Sequence, residues 1–402
     1  MFLRYTIYRK KRKALPLMLL KRITLFKFFG FDVKADVSWL ILAVLISWTF
    51  STRIFPHSAP GYSEEIYQWM GIAGLAGVII SILAHEVAHA IIAEYYQMPI
   101  KSITLFIFGG VAEMKGEPSH AKGEFFMAIS GPLMSAFMAL LFWGSSQFHL
   151  DIAGIETDPI SETLKSLSTL NLIIVGFNMI PAFPLDGGRA LRAALWCYKG
   201  NLVLATRIAS EAGAILAYGL MAYGLFQVIQ NDFVSGMWSG LMGLFIAGSG
   251  ESAVKHTEAQ SLLSEETVSR FIQTNMVSVS PDLLIVELVD NYIYKHYQRN
   301  FPVVDQGQLV GTISLQSILE LDRNKWAWLP ISRIMAPVTP DCLISPEMSA
   351  DKALDIMQRT NRNHLMVTDG HKLIGVLYLS DLTNYLAINT SLNKDHALSM
   401  SR

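Results

Sequence analysis

The sequence predicts a polytopic α-helical membrane protein of about six transmembrane helices, with short β segments on its cytoplasmic side, followed by a soluble α/β module built from two repeats. Three observations predict it. The 402-residue chain is 51% hydrophobic and only 16% charged, whereas a soluble domain carries about a quarter charged residues. The long apolar runs are confined to residues 37–250. The loops between those runs alternate in charge.

Residues 1–36 read as a basic N-terminus ending in a β segment. Arg4, Arg9, Lys10, Lys11, Arg12, Lys13, Lys21 and Arg22 are accompanied by no acid in residues 1–22. The apolar piece "ALPLMLL" is short, is closed by Lys-Arg and lacks a nearby small-residue cleavage site, so it does not read as a removable signal peptide. A basic end of this kind stays in the cytoplasm.

A spanning helix needs about 20 mostly apolar residues, and six stretches qualify: about 37–54, 70–97, 123–145, 164–181, 208–230 and 234–250. The loops 55–69, 146–163 and 231–233 carry Glu64, Glu65, Asp151, Glu156, Asp158, Glu162 and Asp232 and no Lys or Arg. The loops 98–122 and 182–207 carry Lys101, Lys115, Lys122, Arg189, Arg192, Lys199 and Arg207. The positive-inside rule then puts both termini in the cytoplasm of a multi-pass protein of the cell (inner) membrane. Segments 23–37 and 100–114 are rich in β-branched and aromatic residues broken by glycine, so they read as extended. The second is either an interfacial or re-entrant strand pair or an ordinary cytoplasmic hairpin.

Residues 251–265 read as a linker and 390–402 as a tail, with two repeats between them, 266–325 and 326–389. Pro281 pairs with Pro346 and Gly311 with Gly375, at a spacing of about 64 residues. Each copy reads as strand, helix, strand, tight turn, strand, helix. The net charge of −1 and the absence of a basic stripe give no reason to expect nucleic acid as a partner. The two cysteines, Cys197 and Cys342, fall in different parts of the chain and suggest neither a disulfide framework nor a thiolate cluster.

The chemistry is carried by "HEVAH", residues 85–89, inside the second span. On a helix, positions i and i+4 lie about 40° apart around the axis, so His85 and His89 can reach one metal ion. Glu86 lies to the side of that pair, where it can act as general base on a metal-bound water. An isolated buried histidine is more often a hydrogen-bonded core residue, but three ionisable groups at this spacing in a span are costly unless functional. A hydrolytic Zn²⁺ site needs a third protein ligand. Asp186, in the Pro/Gly-rich break "NMIPAFPLDGGRALRAALW", is the candidate. The competing role for Asp186 is an N-cap for the helix that follows. Depth favours the ligand: the second span reaches His85 about 22 Å from its outer end, and the fourth reaches Asp186 at its inner end. Asn178 is positioned either to hydrogen-bond a developing oxyanion or to act as a plain polar cap. Gly109 and Gly110 either let a substrate strand pair along their edge or serve as turn glycines. A metal centre inside the bilayer implies a membrane-spanning protein substrate, with the lipid bilayer itself as the second partner.

"HEVAH" in a span, "NMIPAFPLDGG" after a later one and "FGGVAEM" between them resemble the site-2 protease family of intramembrane zinc metalloproteases (peptidase M50-like). "LFKFFGFDVKADVSWL" resembles that family's N-terminal strand, and "SGPLMS" its Gly-Pro stretch, with Ser135 where many members have Asn. The resemblance covers about residues 23–250. It implies one Zn²⁺ per chain held by His85, His89 and Asp186, Glu86 as catalytic base, Asn178 as an active-site polar group, and a role in regulated intramembrane proteolysis. Residues 266–389 resemble a tandem CBS domain pair, a module that commonly binds adenine nucleotides. The resemblance implies AMP or ATP as ligand and a homodimer formed through the module. Family members place Thr and Asp three and six residues after the glycine of the third strand. Here the first copy has Ser314 and Ser317, the second Tyr378 and Asp381. Neither copy has both, which leaves Asp381 and Ser314 as the nucleotide candidates. The rival reading, a CBS-regulated transporter or channel, does not require a third ligand at matched depth.

Overall fold

The structure, a computed structural model, describes residues 23–28, 31–98, 100–106, 109–114, 118, 120–147, 158–274, 277–339, 342–370 and 372–400. The basic run 1–22 and most of the predicted outer loop 146–163 lie outside the described residues. The chain forms two compact units, residues 1–257 and 258–402.

The first unit opens with a hairpin, β1 (Ile23–Phe28) and β2 (Phe31–Ala35). Asp36 then starts α1 (Val37–Thr49) by accepting from the Ser38 amide at 2.9 Å. A π turn, Phe50–Ile54, carries that helix into α2 (Phe55–Ser58). The 32-residue α3 (Glu64–Tyr95) begins with Ser63 as cap and with Glu64 and Glu65 in its first turn, where acids complement the helix dipole. β3 (Ile100–Phe106) and β4 (Gly109–Met114) follow, then α4 (Ala121–Ser146), α5 (Pro159–Asn178), α6 (Asp186–Lys199), α7 (Leu202–Ile229) and α8 (Phe233–Ser264).

The two predicted extended segments form one four-stranded sheet, β1-β2-β3-β4. β2 and β3 pair in parallel, Asp32 opposite Ser102 and Ala35 opposite Leu105, and β4 is the edge strand. Five helical segments are long and apolar enough to cross a membrane: Val37–Ser58, α3, α4, α7 and α8. The predicted fourth span is α5, 20 residues long. Its first eleven residues include Ser161, Glu162, Thr163, Lys165, Ser166, Ser168 and Thr169, which holds it below the hydropathy of the other five. Two of these groups, and Asn171 beyond them, bond to neighbouring helices. Ser161 Oγ donates to the Ser146 carbonyl at 2.8 Å, Ser168 Oγ to the Ala139 carbonyl at 2.8 Å, and Asn171 Nδ2 to Ser81 Oγ at 2.9 Å. Between helices in a membrane, polar contacts of this kind act as glue. The predicted sixth span runs on as helix to Ser264, because "ESAVKHTEAQSLL" is made largely of good helix formers.

The second unit contains α9 (Ile285–Leu288), α10 (Tyr294–His296), β5 (Asn300–Asp305), β6 (Gln308–Ser314), α11 (Leu315–Leu319), β7 (Ala336–Pro337), β8 (Leu343–Ile344), α12 (Ala350–Thr360), β9 (His364–Asp369), β10 (Lys372–Tyr378) and α13 (Leu379–Met400). The sheet order is β5-β6-β10-β9-β8, with β7 added to β6. The predicted tight turn between β5 and β6 is Gln306-Gly307, both at positive φ (47° and 80°), as a two-residue hairpin of the primed type requires. The two repeats exchange their leading segments. Val268 is buried in the core built by the second repeat, with Ile344, Leu365 and Leu377. Ile331 is buried in the core of the first, with Val303 and Ile313.

Candidate metal centre

His85, Glu86 and His89 lie on the second half of α3 and are 6%, 7% and 3% exposed. The two imidazoles sit one turn apart with their Nε2 atoms 3.1 Å from each other. Asp186 closes the triangle, its Oδ2 3.1 Å from His85 Nε2 and its Oδ1 3.3 Å from His89 Nε2. Tetrahedral Zn²⁺ with bonds of about 2.0–2.1 Å has ligand–ligand edges of about 3.3–3.4 Å. These three donors therefore already stand at close to the spacing one zinc ion requires. They are the one His/Cys/Asp/Glu group of that kind among the described residues.

The capping alternative for Asp186 does not hold. Asp186 is the first residue of α6, Leu185 is the N-cap, and no side chain caps that end. The carboxylate turns to the imidazoles instead. The opposite ring nitrogens are also held. His89 Nδ1 is 2.6 Å from the Met127 carbonyl, which can only accept, so Nδ1 carries the proton and Nε2 keeps its lone pair for a metal. His85 Nδ1 is 2.9 Å from Ser135 Oγ. Gly131 lets α4 approach this closely, since a Cβ there would stand 2.2 Å from His89 Nε2 and 2.7 Å from His85 Nε2.

Glu86 packs against the edge strand. A Cβ on Gly110 would come within 2.7 Å of Glu86 Oε1. A mainly apolar cavity of about 640 Å³ opens onto this point. Its polar lining includes Glu86, His85, Asp186, Ser135 and Asn178, and its apolar walls come from α1, α5 and α8, with Trp238 and Phe245 among them. Asn178, the last residue of α5, thus borders the same space as Glu86. Gly109 is the first residue of β4.

The two nucleotide candidates are not brought together. β6 and β10 run antiparallel and meet at Gln308 and Lys372, so their C-terminal ends point in opposite directions. Ser314 and Asp381 lie at or beyond those ends, with six residues of strand at about 3.3 Å each on either side of the crossing. Ser314 Oγ caps α11 by accepting from the Ser317 amide at 3.1 Å. Asp381 lies in the first turn of α13, and its carboxylate accepts from Gln273 Nε2 at 3.0 Å.

The sequence names Ser135 without pointing to its contact with His85, and it does not single out the Met127 carbonyl or Gly131. The Gly-Pro stretch "SGPLMS", which contains Gly131 and Ser135, is the available signal for two of them.

The sequence pattern of Peptidase family M50 matches residues 73–153, a stretch that holds His85, Glu86 and His89 and ends before Asp186. The pattern of the CBS domain matches residues 268–324 and 331–388. Zinc metalloprotease MJ0392 of Methanocaldococcus jannaschii is 30% identical over 366 residues, which cover 91% of this chain and 96% of the relative. Rip3 of Mycobacterium tuberculosis is 27% identical over 369 residues, 91% of this chain and 93% of the relative. Among solved structures, a site-2 protease from Methanocaldococcus jannaschii is 30% identical, covers 58% of this chain and 94% of its own, and superposes with a TM-score of 0.40.

Proposed function

This chain belongs to peptidase family M50, a zinc metalloprotease of the site-2 type with a CBS pair attached, and on that footing we propose how its site works. The substrate is a membrane-spanning protein cut within or near the bilayer, in regulated intramembrane proteolysis. His85, His89 and Asp186 hold the zinc ion, and the observation that carries this is their triangle of 3.1, 3.1 and 3.3 Å. When bound, zinc polarises a carbonyl and brings the pKa of a water towards 7. Glu86 would take a proton from the attacking water and return it to the leaving amine. Asn178 donates to the scissile carbonyl as its oxygen gains charge. The backbone beside Gly110, at the free edge of β4, pairs with the substrate in extended form and holds it against Glu86.

The loop charges support an orientation with both termini in the cytoplasm of the cell membrane. The second unit then lies in the cytoplasm, where it binds AMP or ATP, forms a homodimer and tunes the protease. Titration of the full chain in detergent with each nucleotide tests this. Heat that disappears in Asp381→Ala is expected, and none with either nucleotide refutes it.

The decisive experiment for the protease is Glu86→Gln. The variant should keep its zinc and lose cleavage of a reporter membrane substrate by about 10²–10⁴-fold or more. Normal turnover by that variant would sink the mechanism.

A further inference from the structure

A second pair of ionisable groups lies buried beside the metal centre. Glu124, in the first turn of α4, is 0% exposed, and Arg192, near the middle of α6, is 5% exposed. Glu124 Oε1 accepts from Arg192 Nε at 2.8 Å and also from Nη2. The guanidinium carbon lies 5.2 Å from the centre of the Phe183 ring, in the break that precedes α6. Among the described residues, Glu124 Oε2 is buried and has no hydrogen-bond partner, so the carboxylate serves Arg192 alone.

Taking such a pair out of water costs several kcal/mol per ion, and apolar residues of similar volume often stabilise as well or better. Stability therefore does not explain it, and its place in the fold suggests what does. Asp186, Arg189 and Arg192 follow one another at i, i+3 and i+6 on α6. Gly131, Met127 and Glu124 follow one another at i, i−4 and i−7 on α4. Asp186 meets the imidazoles that crowd Gly131. Arg189 Nη2 reaches Met127 Sδ at 3.9 Å, and Arg192 meets Glu124. The helices are antiparallel here, with about 9 Å of rise between the outer points on α6 and about 10.5 Å on α4. One residue of slip along α6 would shift its groups by about 1.5 Å along the axis and 100° around it, enough to take the carboxylate off both imidazoles.

We propose that Glu124 and Arg192 are a positioning pair, a buried ionic clamp that sets the register of α6 against α4 and so delivers Asp186 to the metal. This rests on the reading that Asp186 is a zinc ligand. The pair touches neither metal nor substrate, so its signature is in the metal's surroundings.

The test measures zinc release to a chelator, and the visible spectrum of the cobalt-substituted form, for the full chain in detergent. Asp186→Asn comes first. It should speed zinc release and change the cobalt band, and if it does neither, the ligand reading fails whatever the clamp does. With that established, Glu124→Gln should change the cobalt band in the same direction as Asp186→Asn and weaken zinc retention about 10–100-fold, the size expected for groups that orient a ligand from outside the metal's own shell. Because Glu124→Gln removes the carboxylate charge that Arg192 meets, the double variant Glu124→Met, Arg192→Met is measured beside it; it removes both charges of the pair. Its helix content by circular dichroism should match the parent while its zinc retention falls. Parent-like zinc retention and an unchanged cobalt band in the double variant would overturn the proposal.

Discussion

Helices α3 and α5 both carry polar side chains into apolar surroundings, and they satisfy them in different ways. On α3 the polar groups converge. His85 and His89 turn to a single point shared with Asp186, and Glu86 turns to the cavity next to it. On α5 the polar groups disperse. Ser161, Ser168 and Asn171 each find a separate partner, on α4 or α3. The count of buried polar residues does not separate a reactive helix from a packing helix. Convergence of lone pairs on one point does.

Substitution can break that contrast. The largest effect is expected from the His85→Ala, His89→Ala double variant, which should purify without zinc and without activity; metal content unchanged from about one per chain would refute the ligand assignment. Gly131→Ala comes next. Its methyl group would stand 2.2 Å from His89 Nε2, so one imidazole must leave its place, and zinc measured after dialysis should fall well below that of the parent. Ser135→Ala removes the partner of His85 Nδ1 and should weaken zinc by about tenfold or more, read by chelator competition. Asn171→Leu removes a hydrogen bond to Ser81. It should leave zinc content intact and lower stability in detergent by about 1 kcal/mol, in the range such bonds show in membranes. Loss of zinc in Asn171→Leu would mean that the Asn171–Ser81 contact also supports the metal ligands. Ser168→Ala should have the smallest effect, about 0.6 kcal/mol.

The same contrast explains what the sequence revealed. His85, Glu86 and His89 were legible because helix geometry alone fixes how positions one turn apart project. Asp186 was legible only with topology added, since nothing local to "PLDGG" separates a ligand from a cap. Ser135 was not, because a serine in a membrane helix usually bonds its own backbone or a neighbour and costs little wherever it lies. The Met127 carbonyl could not be read at all, since every residue has one. The extended character of 23–37 and 100–114 was visible, but the parallel β2–β3 pairing was not. It joins segments about 70 residues apart, and local pattern carries no information on such a contact. The exchange of leading segments between the CBS repeats escaped for the same reason.

The separation of the metal centre's parts along the chain also sets an order of events. His85 and Asp186 are 101 residues apart, roughly 5–20 s of synthesis at ribosomal rates. During that interval the nascent chain has the two imidazoles but not yet Asp186. On the proposed ligand set, tight retention of the ion becomes available only once α6 has been made and has docked, because binding energy is available only to a formed site. Zinc capture then acts as a receipt for completed assembly, and a chain truncated before Asp186 should never hold the metal firmly.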